Sequence, residues 1–210
     1  MLIRKLTLGP IQANCFILGC EQTREALVID PGDEGERILM ILAEDKLTVK
    51  AIVDTHGHFD HVGANSELKN ATGAPIMIHA QDAPMLGQLS QHAAAWGLKA
   101  EDSPAADREL ADGDEIKVGE EICLKVLHTP GHTLGGISLY SETPAAVFVG
   151  DTLFAGSIGR TDFPGGDYDT LITSIQTKLF TLPETVKVYP GHMHETSIGQ
   201  EKSTNPFCRM

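Results

Sequence analysis

The sequence predicts an α/β fold in which two β-sheets stack face to face with helices on their outer sides, a four-layer αββα sandwich. Two observations carry this. Each half of the chain reads as several strands with helical segments interspersed, and layering is how a one-sided sheet and a one-sided helix bury their apolar faces together. A length of 210 residues suits a single unit with a sizeable core, so one domain over residues 1–210 is expected.

In chain order, strand patterns occupy residues 2–8, 14–19 and 26–30, and Pro31-Gly32-Asp33 ends the third. Ile38, Leu39, Ile41, Leu42 and Leu47 form an apolar face that predicts a helix over 36–47. Residues 49–53 are a short buried-strand run, 54–61 a loop, 62–71 helical and 75–79 another strand. The second half predicts strands at 115–127, 136–140 and 145–149, a helix over 168–181 and a strand at 186–189. A short helix at 197–205, with Ser197 as its cap, closes the pattern.

Sixteen Lys and Arg stand against 29 Asp and Glu, a formal charge of −13 that repels phosphate backbones and anionic membranes. Nucleic acid and membrane partners are therefore not expected, and no apolar run approaches the length of a membrane span. The N-terminal residues carry no export pattern, and Cys15, Cys20, Cys123 and Cys208 form no CxxC pair. Free thiols, a cytoplasmic location and a monomer or weak homo-oligomer are the corresponding expectations.

The chemistry is concentrated in Thr55-His56-Gly57-His58-Phe59-Asp60-His61, which places four ligand-type side chains within six residues. In an extended segment His56 and His58 point the same way, and Asp60 and His61 face a second point nearby. Further ligand-type residues follow turns or strands: His132 in Thr129-Pro130-Gly131-His132-Thr133, Asp151 in Gly150-Asp151-Thr152, and His192 in Pro190-Gly191-His192. Loops at strand ends gather sites in layered folds, so five His and two Asp can complete two metal shells.

In order and type these residues resemble the pattern of the metallo-β-lactamase superfamily: HxHxDH, then a His, an Asp and a final His. The resemblance spans nearly the whole chain and implies the metallo-β-lactamase fold. It implies one metal held by His56, His58 and His132, a second held by Asp60, His61 and His192, and Asp151 bridging them. Two divalent ions per chain are thus expected, zinc first, with iron or manganese as alternatives.

The runs LHTPGHTLGG and VGDTLFAGSIGRTDFPGGD look like the glyoxalase II group, whose members hydrolyse S-acylglutathione thioesters. The best-known antibiotic-degrading branch has cysteine where this chain has Asp151. A small-molecule thioester, S-lactoylglutathione or a related S-acyl thiol, is the expected substrate. Asp60 and Asp151 are the expected catalytic carboxylates, and Arg160 and Phe163 the expected substrate contacts. The sequence departs from that group in two ways: no counterpart of its C-terminal helical domain is present within the 210 residues, and Asp162 stands where the group has an aromatic. Gly159-Arg160-Thr161-Asp162-Phe163 also looks like a stretch of the mononuclear iron persulfide dioxygenases, which implies the alternative activity.

The remaining histidines, His79, His92, His128 and His194, are expected to pack or to support the ligands. Met77, Met85 and Trp96 are expected in the core, and Asp54 is expected to steady a ligand imidazole through its second nitrogen.

Overall fold

The computed structural model describes residues 1–208. A first sheet is built from β1 (Leu2–Leu8), β2 (Ala13–Gly19), β3 (Glu25–Ile29), β4 (Thr48–Val53), β5 (Ile76–His79) and β6 (Arg108–Leu110), in that spatial order. Its first two pairings are antiparallel and its last three parallel. The second sheet uses β7 (Glu115–Val118), β8 (Ile122–His128), β9 (Ile137–Ser141), β10 (Ala146–Gly150), β13 (Lys187–Pro190) and β14 (Thr196–Ser197), in the order β14-β13-β10-β9-β8-β7. A small hairpin of β11 (Leu153–Phe154) and β12 (Ser157–Ile158) leans out between β10 and the helices that follow.

The helices are α1 (Gly35–Glu44), α2 (Phe59–Val62), α3 (Asn65–Thr72), α4 (Leu89–Ala94), α5 (Tyr168–Ser174) and α6 (Ile198–Thr204). Three apolar clusters define the four layers. On the outer face of the first sheet, Ile38 and Leu42 of α1 and Leu68 of α3 meet Cys15, Ile17, Val28, Ile52 and Ile76. Between the sheets, Phe16, Leu18, Leu27, Ile29 and Val53 meet Leu124, Val126, Leu139, Phe148 and Tyr189. On the far side, Val147, Val149 and Val188 pack against Leu171, Ile175, Leu179 and Ile198.

Alternation explains the layering. In β2, Cys15 and Ile17 face one cluster while Phe16 and Leu18 face the other, because successive side chains leave a strand on opposite sides. β10 divides in the same way, with Phe148 inward and Val147 and Val149 outward. Both strands are buried on both faces, so they read as continuous apolar runs.

Several predicted boundaries are corrected. The strand expected over 115–127 is a hairpin, β7 and β8, turning at Gly119 with φ +60°. The turn of three residues keeps Ile116, Val118, Ile122 and Leu124 in one parity, so the alternation runs through it unbroken. The helix expected to 47 ends at Glu44: Lys46 takes a left-handed φ of 53°, and the amides of Lys46 and Leu47 bond to the carbonyls of Ala43 and Leu42. That is a Schellman stop with Lys in the place usually held by Gly. The helix expected over 62–71 is α3, Asn65–Thr72, while the end of the expected 54–61 loop is the single helical turn α2, and the helix expected over 168–181 is α5 continued by a π-helical turn, Ile175–Leu179.

A 3₁₀ turn, Ala83–Gln88, and α4, β6, β11, β12 and β14 are additional to the predicted elements. The cysteines are free thiols. Among the described residues, no helix is long and apolar enough to cross a membrane.

Phe148 is fully buried, with its ring centroid 5.1 Å from that of Phe16 and 4.9 Å from that of Tyr189. Phe148→Ala is expected to cost about 3–5 kcal/mol of stability, read as a lower urea midpoint at an unchanged slope.

Candidate metal centre

Five strands end at one edge of the sandwich. β3 leads into Asp30, β4 into the 54–61 loop, β8 into the 129–135 loop, β10 into Asp151 and β13 into Gly191-His192. The parallel pairings β3–β4 and β10–β13 align these ends within each sheet. Segments far apart in sequence therefore deliver side chains to a common point.

All seven residues expected from the sequence meet there. His56, His58 and His132 form one group of converging ligand atoms, and Asp60, His61 and His192 form another. Asp151 lies between them: Oδ2 is 3.7 Å from His132 Nε2 and 3.6 Å from His192 Nε2, while Oδ1 is 3.5 Å from His61 Nε2. Asp60 Oδ2 lies 3.3 Å from His192 Nε2 and 3.6 Å from His61 Nε2.

In three of the five rings the rear nitrogen fixes what the front one presents. His61 Nδ1 donates to Asp30 at 3.1 Å, His132 Nδ1 to the Arg160 carbonyl at 2.7 Å, and His192 Nδ1 to the Gln12 carbonyl at 3.3 Å. A neutral imidazole that donates from Nδ1 carries a lone pair on Nε2. Those Nε2 atoms face other ring nitrogens, His61 against His192 at 3.2 Å and His132 against His58 Nδ1 at 3.0 Å. Two Nε2 lone pairs aimed at one another, at His61 and His192, repel unless a proton sits on one of them or a metal cation is held by both.

His56 Nε2 and Asp151 Oδ1 are buried without a hydrogen-bond partner, although buried polar atoms are almost always paired. Imidazole nitrogens and carboxylate oxygens are the donors that divalent transition metals take. On this geometry the residues present fit two such ions. A third grouping, Asp30 with His56 and His61, does not read as a site. Asp30 is already spent on the Thr55 amide, the Thr55 hydroxyl and His61 Nδ1.

The electrostatics favour the ligand forms of most of these groups. Burial, reinforced by the neighbouring rings, holds His56 well below the usual histidine range, and burial with His132 brings His58 down to about 3. Burial opposes ionisation of Asp60, yet His61 and His192 outweigh it and hold the carboxyl low. His61 and His192 are the exceptions: burial is overcome at His61 by Asp151, Asp60 and Asp30, which lift it to about 10, and at His192 by Asp60 and Asp151, which raise it above the usual histidine range. A proton there answers the same demand for positive charge that a metal ion would.

Other residues steady the loops. Asp82, fully buried, accepts the Gly57 amide at 3.1 Å and the Gly135 amide at 2.6 Å, tying the first histidine run to the loop of His132. Asn14 Nδ2 donates to the carbonyls of Pro190 and Met193, pinning the loop of His192. Two glycines are obligatory here. A Cβ on Gly191 would collide with Asp151 Oδ1 and lie 2.7 Å from His61, and Gly150 combines φ +49° with a collision against Thr55 Oγ1.

Asp54, expected to hold a ligand ring, does not: it is buried against Asn65 Nδ2 at 2.8 Å, and Asp30 holds His61 instead. His79 and His128 stack on each other at 4.1 Å, His92 lines the cleft above the cluster, and His194 is exposed. Trp96, expected in the core, is 54% exposed at the cleft rim, and Met85 lines the cleft. Arg160 and Phe163 also line it, but the Nε and Nη2 of Arg160 are bound by both oxygens of Asp162 at 2.8 and 2.7 Å. Asp30, Asp82 and Asn14 escaped the sequence reading. Each lies far from its partner in sequence, and the turn residue after Ile29 was the only local signal at Asp30.

Asp30→Ala, which frees His61 Nδ1, is expected to weaken metal affinity about 10- to 100-fold, measured by competition against a chromogenic chelator, with the fold retained by circular dichroism.

The family model of the metallo-beta-lactamase superfamily matches residues 8–192. The chain is 40% identical over 208 residues to hydroxyacylglutathione hydrolase GloC of Haemophilus influenzae, covering 99% of this chain and 98% of that one. Among solved structures it resembles BLEG-1 B3 metallo-beta-lactamase, with TM-score 0.92, 37% identity and 99% coverage of both chains. It also resembles TTHA1623 in a di-iron-bound form, with TM-score 0.90, 39% identity and coverage of 97% of this chain and 99% of that one. With the αββα layers and the converging His and Asp loops, these matches establish that the chain belongs to the metallo-beta-lactamase superfamily.

Proposed function

We propose that the protein is a metal-dependent thioester hydrolase of the glyoxalase II type, acting on S-lactoylglutathione or a related S-acyl thiol. The observation that carries the reading is the arrangement of two ligand groups sharing Asp151 at the base of a cleft of about 840 Å³. His56, His58 and His132 would hold one divalent ion, Asp60, His61 and His192 the second, and Asp151 would contact both. Zinc is the proposed metal. The di-iron form of TTHA1623 keeps iron as an alternative. When bound, such a pair acidifies a water toward neutrality and polarises a carbonyl.

The chain's own residues do the rest. Asp60 lines the cleft and would orient the attacking water through a carboxylate oxygen. The Asp30, Gln12 and Arg160 oxygens keep the rings of His61, His192 and His132 from turning. Beyond the seven clustered residues, the titratable groups of the lining are His92 and the paired Arg160. Neither lysine nor tyrosine faces the cleft among the described residues. A thiolate, with a conjugate-acid pKa near ~8.5, departs without a dedicated proton donor, whereas an amine does not. This supports a thioester over an amide, in keeping with the name of the GloC relative.

A second reading, oxygenation of a persulfide at one iron, is supported by the resemblance of residues 159–163 to the persulfide dioxygenases. We place the substrate among small molecules and the enzyme in the cytoplasm.

Asp151→Ala is expected to lower hydrolysis of S-lactoylglutathione by at least about 10³-fold and to release metal at the same time. Undiminished hydrolysis by that variant would contradict the reading. Dioxygen consumption with glutathione persulfide, in place of thioester hydrolysis, would establish the second.

A further inference from the structure

The cleft above the metal centre is lined by Ile11, Phe59, Met85, Trp96, Phe154 and Phe163. Its one arginine is Arg160, and no lysine lines it among the described residues. That cation is already neutralised. Asp162 fills the Nε and Nη2 edge of the guanidinium in a two-pronged pair, the geometry in which an arginine binds a carboxylate most strongly.

The flat face of the same guanidinium lies 3.6 Å from the Phe163 ring centroid and 5.9 Å from that of Trp96. Phe163 stands edge-on to Trp96 at 6.1 Å and edge-on to His58 at 5.9 Å. An aromatic line thus runs from the exposed rim at Trp96 down to a residue of the metal centre. A carboxylate-bearing arm entering here must displace Asp162 from Arg160 or lie beside a pair of zero net charge. Either course gains less than an unpaired arginine would give, because the Nε and Nη2 edge is taken and only the Nη1 side is left to meet a carboxylate. An uncharged apolar arm meets surface that matches it.

We propose that Trp96, Phe163 and the Asp162-bound guanidinium of Arg160 form a neutral aromatic clamp for an uncharged apolar arm of the substrate. Thioesters of apolar thiols are then preferred over those of a carboxylate-bearing peptide thiol such as glutathione, which narrows the proposed substrates to the related S-acyl thiols. This specificity rests on the thioester reading above. Asp162 is the positioning residue: it cancels the charge of Arg160 and holds its plane against Phe163.

The test uses the metal-loaded full chain and two substrates sharing one acyl group, the acetyl thioesters of 2-phenylethanethiol and of glutathione. The wild-type protein is expected to show kcat/KM about tenfold higher for the phenylethyl thioester. Trp96→Ala should erase most of that preference through KM, with kcat held. Asp162→Ala should raise kcat/KM for S-acetylglutathione by about tenfold by freeing Arg160. Both side chains are exposed, so neither substitution removes core packing.

A binding readout stands beside activity, because Trp96 is the sole tryptophan. Its fluorescence should shift with methyl 2-phenylethyl thioether at a lower concentration than with S-methylglutathione, and Asp162→Ala should narrow the gap. A wild-type preference for the glutathione compound in fluorescence, or an Asp162→Ala variant that leaves the gap unaltered, would overturn the clamp. If the thioether is preferred in fluorescence while neither thioester turns over, the clamp stands and the thioester reading falls.

Discussion

The structure turns on a problem of charge in a closed space. Five imidazoles and two carboxylates are drawn to one edge of the sandwich, and three of the rings are oriented from behind by Asp30 and by the carbonyls of Gln12 and Arg160. Oriented in this way, the front nitrogens of His61 and His192 face each other at 3.2 Å, an approach that only a proton on one of them or a bound cation relieves. Asp151 supplies negative charge to both halves of the cluster, yet carboxylate and lone pairs together still demand a cation. The metal centre is the natural solution to that demand, and the buried, unpartnered His56 Nε2 and Asp151 Oδ1 point the same way.

The rest of the fold holds this arrangement still. Strands buried on both faces make the two sheets stiff, and the ligand-type residues leave the ends of those strands after very few residues. Asp82 and Asn14 then lace the loops to one another across 53 and 176 residues of sequence. Gly191 and Gly150 allow the backbone to pass so close to Asp151, His61 and Thr55 that a single methyl group would not fit. Precision at the centre thus comes from backbone spacing as much as from the charged residues themselves.

How much of this was legible in the sequence depended on distance along the chain. Local signals carried well: period-two alternation gave the sheets, and the HxHxDH run with three later Gly-flanked residues gave the whole cluster. What failed was whatever local pattern disguises. The turn at Gly119 preserved apolar parity and hid a hairpin, and Lys46 ended a helix in a conformation that usually signals glycine. Long-range partners had no signal at all. Asp54, beside the motif, looked like the support for a ligand ring, while the residue in that role, Asp30, arrives from a neighbouring strand. Trp96 looked like core because its neighbours are apolar, although the chain leaves it on the rim of the cleft.

The account rests on two metal positions sharing Asp151, and metal stoichiometry tests it most directly. Protein stripped of metal, dialysed to equilibrium against a zinc buffer and analysed for zinc and for protein by amino-acid content, should bind two ions per chain. One ion per chain at saturating free zinc, with the fold intact, would contradict the shared-carboxylate centre.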